Sequence, residues 1–177
     1  MDLLEIKGRI SVALVESIFR RAGFTLTPPV TVETTQRLGR EDLIPDFQAT
    51  LPAAGGGSAY EGRVVEVRYR PQVGQYLLIE SQRGPHSLFT VAKRHWPTLV
   101  FVFVTDHPEA GRSCFQVVDL ETWATGNSVT ALDLHSHDAL RIFRQIDRFQ
   151  KTIRRTTRGL LGRRSVKTPD RTIFQLT

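Results

Sequence analysis

From residue 3 to residue 22, Leu3, Ile6, Ile10, Ala13, Leu14 and Ile18 recur at intervals of three and four, which predicts a helix lying on a core. Arg20 and Arg21 fall in its last turn and Gly23 follows, both suited to a helix C-terminus. Val12, Val15 and Phe19 widen the apolar surface, and Glu16 sits among them. An acid in that position needs an ion pair or a site.

The pattern then changes to that of strands. Phe24 to Val32 reads as a first strand, with Pro28 and Pro29 forcing it to an edge or a bend. The polar stretch from Glu33 to Asp42 reads as a loop, and Leu43 to Leu51 alternates weakly as a second strand. Gly55-Gly56-Gly57 reads as the connection of a hairpin. From Arg63 to Arg70, Val65, Val67 and Tyr69 alternate with Val64, Glu66, Arg68 and Arg70, the two-residue period of a strand. Glu66 and Arg68 therefore share one face. Tyr76 to Ser81 suits either a strand or a helix, and His86 to His95 predicts a helix stopped by Pro97. Leu99 to Val104 is apolar at every position, the signature of a strand covered on both faces. Phe115 to Leu120 is a further strand. Ser136, with Asp138 behind it, reads as the N-cap of a long helix carrying Leu140, Phe143, Ile146, Phe149 and Ile153. The expected class is α/β, a mixed central sheet flanked by helices.

Length and charge divide the chain. At 177 residues there is room for one well-formed core, taken as residues 1–150. Residues 151–177 carry eight basic side chains against the single acid Asp170, so the net charge of +6 resides in this segment. A concentrated cationic segment favours a polyanion, nucleic acid first, with Lys151, Arg154, Arg155, Arg158, Arg163 and Arg164 as phosphate contacts and Arg70 as another. A homodimer or protein partner met through the same C-terminal region is a further expectation. Cys114 is the only cysteine, which excludes an internal disulfide and a thiolate-rich zinc site and suits a buried side chain. No apolar run is long enough for a membrane span, and the acidic start, Met1 to Ile6, lacks the features of a signal peptide, so the expected compartment is the cytoplasm.

Three acids on three elements, Glu16, Asp46 and Glu66, are candidates to converge at one end of the sheet. Magnesium takes oxygen ligands, commonly one or two carboxylates with water and phosphate completing its shell. Asp46 and Glu66 supply such a pair, and Arg68 adds positive charge beside them. In order along the chain, Lys7-Gly8-Arg9-Ile10, Ala13-Leu14-Val15-Glu16, Gly23-Phe24, Pro45-Asp46-Phe47 and Val65-Glu66-Val67-Arg68-Tyr69-Arg70 resemble the motifs of the PD-(D/E)xK nuclease superfamily. The likeness spans about residues 5 to 105 and is nearest to the small restriction-endonuclease-like and Holliday-junction-resolvase-like members.

That resemblance implies a DNA endonuclease dependent on Mg2+ or Mn2+, with Asp46 and Glu66 as metal ligands, Glu16 as the helix acid completing the site and Arg68 among the catalytic residues. The chain departs from the pattern at Arg68, where the superfamily usually has lysine. A guanidinium keeps the charge and is never deprotonated, so it stabilises phosphate without acting as a base. The alternative expectation is therefore an inactive nuclease-fold module that binds nucleic acid or serves as a subunit of a DNA-processing complex. Lys93 is the only mid-chain lysine that a displaced site would have available.

Overall fold

A computed structural model describes residues 2–29, 36–38, 41–51, 61–140 and 142. Helix α1 runs over Leu3–Arg21, capped by the Asp2 carboxylate, which accepts from Leu4 N–H at 3.4 Å. Strand β1 is Thr25–Thr27, shorter than the expected 24–32 because two prolines without N–H groups follow it; residues 30–32 lie outside the described residues. The expected loop at 33–42 includes a short ribbon, β2 (Gln36–Leu38) paired with β3 (Glu41–Leu43). Strand β4 is Phe47–Leu51, four residues later than the sequence pattern placed its start, because Leu43 belongs to β3 and Pro45 has no N–H to donate. The Gly55–Gly57 connection lies outside the described residues.

Strand β5 spans Glu61–Tyr69. Helix α2 occupies Val73–Gln82, which settles the ambiguous apolar segment as helical. A 3-10 turn at Gly84–His86 leads to α3, Leu88–His95, whose Ser87 cap accepts from Phe89 N–H at 3.3 Å. Strands β6 (Leu99–Val104), β7 (Phe115–Asp119) and β8 (Leu132–Asp133) complete the sheet. The long helix expected from Ser136 does not begin there. Leu134–Ser136 and Asp138–Leu140 are 3-10 turns closed by bonds such as Leu140 N to His137 O at 3.2 Å, and Leu134 and Leu140 are pinned in the core; from residue 141 on, all but Ile142 lies outside the described residues.

The six-stranded sheet has the order β1-β4-β5-β6-β7-β8. Only β5 and β6 are parallel, with Glu66 beside Phe101 and Arg68 beside Phe103; every other pair is antiparallel. The alternation of β5 and β6 sorts the two faces. Val65, Val67, Val100, Val102 and Val104 pack with Val15, Ile18 and Phe19 of α1. Leu99, Phe101 and Phe103 pack with Leu77 of α2 and with Phe89 and Ala92 of α3. Phe89 is the centre of that side, its ring 5.1 Å from Phe101 and 6.2 Å from Phe103. The class is thus α/β, a mixed sheet between helical layers, and its central strands are buried on both faces. No helix among the described residues is long and apolar enough to cross a membrane.

Candidate active site

The site grows out of the place where β4 begins. Asp46 N–H donates to Val65 O at 2.9 Å, and Asp46 Oδ2 accepts from Val67 N–H at 2.7 Å. The register that pairs Phe47 with Val65 would bring residue 45 opposite Val67, so the Asp46 carboxylate extends the ladder one step past the strand. Asp46 is consequently bonded to the residues on either side of Glu66.

Glu66 and Arg68 point from β5 toward α2 and α3, as their two-residue spacing requires. Arg68 Nε donates to Glu66 Oε1 at 3.0 Å, and the two side chains are only 9% and 8% exposed. The neighbouring ring of Tyr76, on α2, feels the positive charges of Arg68 and Arg70; burial nevertheless raises its phenol above the ordinary value. Arg70 lies over that ring, 4.6 Å from its centroid, with Nη1 donating to Tyr69 O at 3.0 Å. It is thereby drawn onto the Tyr76 ring of α2.

Glu16 approaches from α1. It lies 3.8 Å from Arg20, one turn on, and its side chain is 38% exposed. Burial is the main cause that raises the Asp46 carboxyl above its ordinary value; the Val67 N–H and Arg68 pull it down, and the negative charge of Glu16 pushes it up. Glu16 and Arg68 therefore both act on Asp46 electrostatically, while Glu66 is joined to Arg68 directly. The start of β4 is thus bonded to β5, and the charge of Glu16 on α1 reaches Asp46.

Other residues have different surroundings. Lys93 donates to Trp123 O and lies 5.8 Å from that ring's centroid, so its ammonium ties α3 to the segment after β7. Its partners are thus those of a packing residue. Trp96 and Trp123 pack on the core of the same side, and Cys114 is buried. His135 is exposed, while His137 is buried 3.3 Å from Asp119. Lys151, Arg154, Arg155, Arg158, Arg163 and Arg164 lie outside the described residues.

Among the described residues, no three His, Cys, Asp or Glu side chains form a group able to hold one metal ion. The sequence resemblance assigns a divalent cation to Asp46 and Glu66. Their donor chemistry suits a hard cation: both are oxygen ligands, and the Asp46 charge is disfavoured by burial and by Glu16, a cost that a cation would relieve.

One group escaped the motif reading. Lys7 of α1, Tyr69 at the end of β5, and Asp106 and His107 just beyond β6 are joined by hydrogen bonds. A signal for it was present, because Asp106 and His107 follow directly on a fully buried parallel strand, where α/β sheets place ligands. Compared with protein-family models, with curated proteins and with solved structures, the chain matches none.

Proposed function

We propose that the chain is a restriction-endonuclease-like domain that hydrolyses phosphodiester bonds in DNA with the help of a divalent metal ion. The observation carrying this reading is that Asp46 is bonded to the residues flanking Glu66, that Arg68 is bonded to Glu66, and that Arg68 and Glu16 both act on the Asp46 charge. The order α1, β1, β4, β5, then α2 and α3, then β6 parallel to β5 supports the fold, since it agrees with the mixed, helix-flanked sheet that the sequence resemblance implies.

Asp46 and Glu66 would hold Mg2+ or Mn2+, and the bound ion would activate a water and neutralise charge growing on the phosphoryl oxygens. The protein's own part is positioning. The Val67 N–H fixes one oxygen of Asp46, and Arg68 fixes Glu66 while keeping a permanent positive charge next to the carboxylates. Glu16 adds negative charge that favours cation binding. The test is incubation of the purified chain with linear, branched and single-stranded DNA in magnesium or manganese. Cleavage lost in Asp46→Ala is the expected result; no cleavage by the wild type, or cleavage unchanged in Asp46→Ala, would overturn it.

One observation favours a second reading, a module of the same fold that binds nucleic acid without cutting. Glu66 Oε1 is already engaged by Arg68 in a buried ion pair. Salt-sensitive DNA binding that survives Asp46→Ala, with no cleavage in either metal, would select this reading.

A further inference from the structure

Helix α1 carries more apolar surface than its core-facing side uses. Its buried residues are Ser11, Val15, Ile18 and Phe19. Leu3, Ile10 and Leu14 fall within about 40° of one another at 100° per residue, with Ile6 and Ala13 alongside, and form a second stripe beside the buried one. On that stripe Leu3 is 47% exposed and Ile10 41%, and Leu14 is only partly buried. A hollow of about 480 Å3 lined by Ala13, Glu16, Ser17, Arg20 and Arg21 carries the face on toward the last turn of the helix. A contiguous row of large apolar side chains left in water marks a surface that something covers.

The chain itself supplies a matching element. Ile142 is 1% exposed in the same cluster as Val15 and Ile18, so the polypeptide is anchored on the α1 side of the sheet where it passes beyond the described residues. Ile142, Ile146, Phe149 and Ile153 follow at intervals of four, three and four, the spacing of one helical stripe. Ile142 to Ile153 and Leu3 to Leu14 each span eleven residue steps, about 16 Å at 1.5 Å per residue, so the two stripes have equal length.

The direction of approach is fixed by the fold. Lys7 is bonded to Asp106, just beyond the end of β6, so α1 begins at the carboxyl end of the parallel pair. His137 lies 3.3 Å from Asp119, which pairs with Val100 near the start of β6, so the chain comes to Ile142 from the opposite end. A segment leaving there and following α1 runs antiparallel to it. In that sense Ile146 meets Ala13, Phe149 meets Ile10 and Ile153 meets Ile6, while Arg154, Arg155 and Arg158 reach the end of α1 that carries Asp2 and Glu5. We propose that residues 143–153 form a helix packed antiparallel along the Leu3–Ile6–Ile10–Leu14 stripe of α1. This docking is independent of the chemistry at Asp46 and Glu66.

The experiment uses full-length chains with paired cysteines, Cys114 remaining in its buried position. Under mild oxidation in dilute solution, Ile6→Cys with Ile153→Cys should form an intramolecular disulfide, read as a shift on a non-reducing gel, and Ser17→Cys with Ile153→Cys should not. Equal yields in the two pairs, or none in the first, overturn the proposal. A disulfide-linked dimer in place of the intramolecular bond assigns the stripe to a second copy and also overturns it. Trypsin gives a second readout without cysteines, since cleavage after Arg148 and Lys151 requires the segment to leave α1. Ile10→Lys, on an exposed position, should speed that cleavage at least tenfold, whereas Leu78→Lys on exposed α2 should leave it unchanged. Cleavage of the wild type as fast as of Ile10→Lys overturns the docking.

Discussion

Arg68 Nε stands 3.0 Å from Glu66 Oε1 on the same strand, and both side chains are more than nine-tenths buried beneath α2 and α3. Each charge helps to offset the other's lost hydration. Removing one partner of such a buried pair costs about 3 kcal/mol or more. Arg68→Ala should therefore lower the unfolding free energy by about that amount in urea titrations, while Glu66→Leu combined with Arg68→Met should recover most of the loss. If Arg68→Ala were as stable as the wild type, the pair would have no structural weight.

Arg68→Lys separates structure from chemistry. Lysine keeps the charge but forms a point contact and can give up a proton. The expected outcome is a loss of about 1 kcal/mol in stability together with at least tenfold faster DNA cleavage in Mg2+, since the amine can assist a water where the guanidinium cannot. Cleavage slower than wild type would show that the planar fork itself is required.

Asp46 should cost stability at neutral pH. Its folded carboxyl is raised, chiefly by burial, so between the ordinary aspartate value and the folded one the native state binds more protons than the unfolded chain. Stability then falls as pH rises through that window. Asp46→Asn keeps an oxygen for the Val67 N–H and loses the charge. It should be at least as stable as the wild type at pH 7, with the difference closing in acid, and its cleavage rate should drop about a hundredfold or more. Thermal unfolding from pH 3 to pH 8 and a nuclease assay read the two effects; a variant markedly less stable at pH 7 would mark Asp46 as purely structural.

Asp106 carries the opposite sign. Despite burial, its hydrogen bonds from Lys7, Tyr69 and His107 depress the folded carboxyl, so its contribution is present above about pH 4 and disappears as pH falls further. Asp106→Asn should lower stability at pH 7 by about 2 kcal/mol and flatten the acid limb of the stability curve below pH 4. Equal acid limbs in the two proteins would remove Asp106 from the account.

Residues 151–177 should dominate non-specific DNA affinity. Each phosphate neutralised contributes a little under one unit to the slope of log K against log salt, so deleting the eight basic side chains should flatten that slope by several units and weaken binding by tenfold or more at low salt. A truncated chain with unchanged affinity and slope would assign DNA binding to the folded domain alone.

The elements with strong periodicity were legible in the sequence. α1 and β6 follow from spacing alone, because a 3.6-residue stripe and an unbroken β-branched and aromatic run each permit few alternatives. The boundaries around 43–47 and 134–140 were not legible. At the first, Pro45 and an aspartate bonding the neighbouring strand interrupt an alternation that looked continuous. At the second, burial of Leu134 and Leu140 holds tight turns where Ser136 and Asp138 offered a plausible helix start. The candidate site was partly legible: two-residue spacing set Glu66 beside Arg68, whereas the Lys7–Asp106 ion pair joins residues 99 positions apart that no local pattern relates.

The sequence alone determined that Glu66 and Arg68 share a face, since strand geometry places every second residue together whatever surrounds it. Only the tertiary structure decided that this face is covered, because coverage depends on α2 and α3, which lie between β5 and β6 in the chain, folding back across both strands. That burial converts an ordinary alternating charge pair into one whose two members must be held together.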